Sequence, residues 1–143
     1  MQRIRIQLPA SFSFSTLLAI RITDLNYGGH VGNDTILSLI QEARVQFLSQ
    51  MGYTELKLDN VSLIMSDAAL EFKSELFYGD IITAFVAAAD FSRVGFSFYY
   101  KLTNGKEQVV ALAKTGMVCF DYETRKVVSL PDAVRVKLEG HHG

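Results

Sequence analysis

A chain of 143 residues, 49% apolar and 20% charged, is long enough for one domain with a buried core and too apolar to be disordered. Its formal net charge of −1, without any basic run, implies no nucleic-acid partner. A single cysteine excludes an internal disulfide and makes no zinc spacing with the histidines, so a reducing cytoplasm and no metal or other cofactor are expected.

The start, Met-Gln-Arg-Ile-Arg-Ile-Gln, lacks the apolar stretch of a signal peptide. From Arg3 to Leu8 polar and apolar residues alternate, predicting a short edge strand closed by Pro9. Leu17 to Thr23, apolar apart from Arg21 and Thr23 itself, predicts a strand entering a polar, glycine-rich loop. Asn33 and Asp34 are both good N-caps. After them Ile36, Leu37, Ile40, Ala43, Phe47, Leu48 and Met51 recur at three- and four-residue steps, the apolar stripe of an amphipathic helix. Gly52 supplies its stop.

Tyr53 to Asn60 is a polar connector. Strands are predicted over Val61–Leu76, Ile81–Phe91, Val94–Leu102 and Gln108–Tyr122. Turns at Tyr78-Gly79-Asp80, Ser92-Arg93 and Asn104-Gly105 separate them, the last a strong hairpin signal. Val127 to Leu130 extends an edge, and Pro131 opens a charged tail able to form a last short helix. No apolar run approaches the roughly 20 residues of a membrane span. The order, one long helix followed by antiparallel strands joined by tight turns, is α+β: a helix packed on one face of a curved sheet in a single domain, residues 1–143.

Almost every residue with chemical potential lies between Thr23 and Asn33. Gly28, Gly29 and Gly32 match neither nucleotide-binding glycine pattern and are turn glycines. His30, near the helix N-terminus, is disfavoured as a cation and can exchange a proton or orient a water; the other reading is an exposed loop histidine. Asp24 could be a base and Asn26 could not, although both residues also serve turns. If the strand reaches them, both face one side. The free N–H groups around Asn33 could hold an oxyanion. Glu42 and Arg44 lie off the apolar stripe, as on a solvated face. Glu71 and Glu75 are carboxylates at a strand end. Cys119 is a buried, inert thiol, and Phe96, Phe98 and Tyr100 form one core face. With His141 and His142 at the ragged terminus and no nucleophile elbow, covalent triad chemistry is not expected.

Asp24-Leu25-Asn26-Tyr27-Gly28-Gly29-His30-Val31-Gly32-Asn33, followed by Glu42-Ala43-Arg44, resembles the hotdog-fold thioesterases, in the branch of 4-hydroxybenzoyl-CoA, acyl-CoA and acyl-ACP thioesterases. The layout from Leu70 to the Asn104-Gly105 hairpin follows the same family. The resemblance implies a helix wrapped by a curved antiparallel sheet, homodimers or homotetramers with sites between subunits, and hydrolysis of CoA or carrier-protein thioesters. It also implies Asn26, His30, Glu75 and Asp24 as the catalytic group, the Asn33 backbone as oxyanion donor, and Tyr27, Gly29 and Val31 as substrate contacts. Two positions depart from the pattern. Asn26 stands where many relatives carry the catalytic aspartate, and Gly32 where they carry asparagine. A non-catalytic thioester-binding protein is the alternative. Arg93, Lys101 and Lys114 are the cations considered for CoA phosphates.

Overall fold

The computed structural model describes residues 2–140, so His141 and His142 lie outside the described residues. Among the described residues six strands form one antiparallel sheet: β1 (Phe14–Ala19), β2 (Ser62–Phe72), β3 (Ile81–Ala89), β4 (Gly95–Thr103), β5 (Val109–Asp121) and the short β6 (Lys126–Val127). The order is β1-β3-β4-β5-β2, with β6 paired to the end of β5, so β1 and β2 are the edges. The long helix α1 (Asn33–Gln50) packs on β1 and β3, and α2 (Asp132–Glu139) packs on β3. This is the predicted hotdog arrangement.

Helix α1 buries Ile36, Leu39, Ile40, Ala43, Arg44, Phe47 and Leu48. Phe47 meets Phe14 and Phe98 edge to face, at ring-centroid distances of 5.5 and 5.7 Å. The predicted face of Phe96, Phe98 and Tyr100 supplies the sheet side of this core. Gly52 ends the helix at φ +83°, a backbone conformation with little steric cost only for glycine. Its N–H donates to Ser49 O (3.0 Å) and that of Tyr53 to Leu48 O (2.9 Å), the paired bonds of a Schellman stop.

The structure corrects several expectations. Residues 3–8 form no strand, because Ile6 N–H donates to the Glu71 carboxylate (2.5 Å) instead of joining a backbone ladder. The first strand runs Phe14–Ala19, earlier than predicted, and the chain then makes a 3-10 turn over Ile22–Asp24. Asp24 drives that turn by accepting Arg21 N–H at 2.7 Å. The N-cap of α1 is Gly32, not Asn33 or Asp34, and no side chain caps it. Leu37 is exposed, and its place in the core is taken by Leu39. Arg44 is only 3% exposed rather than solvated. It belongs to the row Ile36–Ile40–Arg44–Leu48, four residues apart and so on one face. The hairpin after β4 is real, but its left-handed residue is Glu107 (φ +62°), not Gly105. Glu107 N–H closes a turn onto Asn104 O (3.0 Å), giving a longer loop than the two-residue type.

The sheet inner face is incompletely covered at the β2 edge. Buried Met117 and Thr115 pair with Met65 and Ala68, so these two share the inner face, yet both are exposed. Farther along the same face, Phe72 is 49% exposed. The uncovered strip leads to the loop that precedes α1.

Candidate active site

The loop from Leu25 to Val31 is a small hairpin. Leu25 bridges Val31, and Asn26 N–H donates to His30 O at 2.9 Å. The Asn26 side chain accepts Gly28 N–H (2.9 Å), an Asx turn, and Gly29 completes the reversal at φ +79°. The chain after β2 is stitched to this hairpin: Val31 N–H donates to Leu76 O (2.9 Å), and His30 bridges Phe77. Residues some 45 positions apart in sequence are thereby held side by side, since Glu75 immediately precedes the stitched pair.

His30 Nε2 lies 4.0 Å from Glu75 Oε1, with side-chain exposures of 35% and 63%. That spacing is too long for a direct hydrogen bond and suits a bridging water. His30 Nδ1 lies 3.4 Å from Val31 O. Both side chains line a cavity of about 250 Å³ together with Val31, Asn33, Ile36, Phe72, Lys73, Ser74, Leu76 and Val110. Its floor is apolar and its rim polar, the usual composition of a small-molecule site. Asn33 is the first residue of α1, and the first intrahelical acceptor at this end is Gly32 O, which takes Thr35 N–H at 3.1 Å. The N–H groups ahead of that bond have no intrahelical partner and carry the positive end of the helix dipole.

Of the residues singled out in the sequence, His30, Glu75, Asn33 and Val31 share this cavity. Asn26, with Tyr27, lines a neighbouring one beside Gly32 and Asp34. Asn26 and His30 still flank one turn, because a Cβ on Gly28 would lie 3.1 Å from His30 Nε2 and 3.4 Å from Asn26 Oδ1. Tyr27 is fully exposed at the loop tip, and Gly29 takes the positive φ of the turn. Asp24 is buried and faces away, with Oδ1 3.5 Å from Arg21 Nη2 and its other oxygen on Arg21 N–H. Asp24 and Asn26 therefore do not share the face an extended strand would have given them. The expected cations are engaged elsewhere: Lys101 lies over the Phe12 and Phe85 rings, Lys114 is 3.7 Å from Asp90, and Arg93 reaches Ser129.

Phe72, Lys73 and Ser74 were missed as lining residues. The register shift between Met65 and Asp67 explains why. A bulge there inverts the two-residue alternation, so counting from Leu63 places Phe72 on the wrong face. Nothing in the sequence marks that bulge. Cys119 is fully buried, and burial pushes its thiol up to about 11, an inert group as expected. Among the described residues no group of three or more His, Cys, Asp or Glu side chains is placed to hold a metal ion. No helix there is long and apolar enough to cross a membrane.

Comparison with known proteins bears on the family and the fold. A family model described as the thioesterase-like superfamily matches residues 20–138. A curated protein of Aquifex aeolicus (strain VF5), named no more specifically than as an esterase, is 28% identical over 108 residues, 74% of this chain and 82% of its own. Among solved structures, a 1,4-dihydroxy-2-naphthoyl-CoA thioesterase from Synechocystis superposes with a TM-score of 0.79 at 21% identity, covering 87% of this chain and 94% of that one. SAV2348 from Staphylococcus aureus, solved in complex with CoA, gives 0.83 at 14% identity, covering 96% and 88%. These structural likenesses bear on the fold, and the family match on membership: the chain belongs to the thioesterase-like superfamily, as a hotdog-fold thioester hydrolase.

Proposed function

We propose that the protein hydrolyses acyl-CoA thioesters with a water held between Glu75 and His30. The observation that carries this reading is the 4.0 Å approach of His30 Nε2 to Glu75 Oε1 at a cavity also lined by Asn33 and Ile36 from the start of α1. Glu75 takes a proton as the water oxygen bonds to the thioester carbon. The carbonyl oxygen becomes an oxyanion facing the Asn33 N–H. Collapse breaks the C–S bond, and the proton held by Glu75 passes to the departing sulfur. His30 orients the water. Asn26 is a positioning residue that holds the turn presenting His30, and Asp24 supports the same loop through Arg21. Solved relatives named as 1,4-dihydroxy-2-naphthoyl-CoA and gentisyl-CoA thioesterases support CoA over a carrier protein as the thiol.

A second copy of the chain completes the site in this reading. The β2 edge is unpaired within the sheet and exposes Met65 and Ala68 on the uncovered inner face, features that favour association.

A panel of acyl-CoAs assayed by free-thiol release tests the chemistry. Glu75→Gln and His30→Ala are each expected to lower kcat by about 10²–10⁴ with the substrate still bound. Wild-type rates in both variants would sink the mechanism. The alternative, a non-catalytic binder, is favoured by one observation: the side chain at the expected carboxylate position, Asn26, is spent on the Asx turn. Binding of acyl-CoA by the wild type without any turnover would select it.

A further inference from the structure

A second cavity, of about 560 Å³, adjoins the first. Arg3, Ile4, Arg5, Glu71, Phe72 and Lys73 line it, and Phe72 and Lys73 line the His30–Glu75 cavity as well. The two therefore meet at Phe72 and Lys73, at the end of β2. The N-terminal segment is tied there by Ile6 N–H on Glu71 Oε1, while Lys73 Nζ sits 3.0 Å from Glu71 Oε2. Among the described lining residues three cations face one carboxylate, so positive charge is left over in a chain whose net charge is −1.

We propose that Arg3, Arg5 and Lys73 form the anion site that receives the phosphates of CoA, with Glu71 organising the cluster. The proposal rests on the thioesterase reading above and assigns its nucleotide end. Distance agrees. The pantetheine arm has roughly thirteen bonds from sulfur to phosphorus, the backbone bonds of about four residues, and so reaches about 15 Å. Glu75 and Glu71 are four residues apart, at most about 13 Å along an extended chain. The arm of an acyl thioester placed at Glu75 is thus long enough to reach Glu71, where Ile6 ties down the Arg3–Arg5 segment. Arginine suits them, because its planar guanidinium binds phosphate oxygens in pairs. Glu71 is held below the usual carboxylate range, first by Ile6 N–H and then by Lys73 and Arg5, and so stays ionised and keeps the segment seated.

Titration of the wild type with adenosine 3′,5′-bisphosphate, followed by calorimetry, tests the site without requiring turnover. Binding that weakens as salt rises is expected. In Arg3→Ala/Arg5→Ala, and separately in Lys73→Gln, affinity is expected to fall about tenfold. The ratio of kcat/KM on an acyl-CoA to that on the matching acyl-N-acetylcysteamine thioester, which lacks phosphates, is expected to fall by a similar factor. Unchanged nucleotide affinity in both variants, or an unchanged ratio, would overturn the proposal. If neither thioester is hydrolysed by the wild type, the thioesterase reading falls, and the nucleotide titration still decides the anion site.

Discussion

Arg44 carries a charge into the core, where an unpaired ion costs several kcal/mol. It is tolerated because every neighbour answers it. Nε donates to Glu55 Oε1 (3.1 Å), Nη1 donates to the Tyr100 hydroxyl (3.0 Å), and that hydroxyl lies 2.8 Å from Thr115 Oγ1. Burial pushes the Tyr100 phenol up, so it remains a neutral hydroxyl. The chain of bonds links α1, the connector after it, β4 and β5. Arg44→Ala would leave Tyr100 and Thr115 short of a donor and Glu55 without its cation. The expected loss is about 3–5 kcal/mol, hence on the order of 10 °C in Tm. Thermal denaturation followed by circular dichroism checks it, and a Tm within a degree or so of wild type would refute it. The loop shows the same logic at lower stakes. His30 and Glu75 come together through backbone bonds, and the amide side chain of Asn26 takes part in building the turn.

Among the elements, β4 and β5 approach closely at Gly95. A Cβ on Gly95 would sit 2.0 Å from Met117 O, a backbone atom that cannot move without parting the strands. Gly95→Ala is therefore expected to cost about 3 kcal/mol. Gly105→Ala meets open space in the hairpin loop and is expected to stay within about 0.5 kcal/mol of wild type. Urea denaturation of the two variants separates them, and equal midpoints would contradict the packing argument. The bulge in β2 matters for a different reason. By inverting the alternation it turns Ala68, Leu70 and Phe72 toward the helix side, and so carries an aromatic wall to the cavity. A sequence without the bulge would send Glu71 there instead.

For the molecule as a whole, the sheet wraps α1 from the β1 side and leaves the β2 side open. Under the proposed pairing that opening is where a second copy docks, with its centre at Met65 to Ala68. Sedimentation velocity is expected to find the wild type dimeric or tetrameric, and Met65→Arg/Ala68→Glu shifted toward monomer. A monomeric wild type would remove the pairing. In the paired state Glu75, exposed in a single chain, would gain a less aqueous surrounding and a stronger interaction with His30.

The amino-acid sequence by itself determined the helix, its stop at Gly52, the consecutive antiparallel strands from Ile81 to Asp121 and the aromatic core face, because these follow from periodicity and turn chemistry that act within a few residues. It also marked the loop from Asp24 to Asn33 and both members of the pair that meets, His30 and Glu75. Only the tertiary structure decided which of the marked polar groups converge. Asp24 was drawn into a local turn by Arg21, and Asn26 into an Asx turn. Arg44 was drawn inward by partners on three other elements, and Phe72 was turned by an unmarked bulge. The Arg3–Arg5 segment was seated by one distant carboxylate. Each of these outcomes depends on a hydrogen bond, ion pair or register set by the particular fold, which residue spacing does not encode.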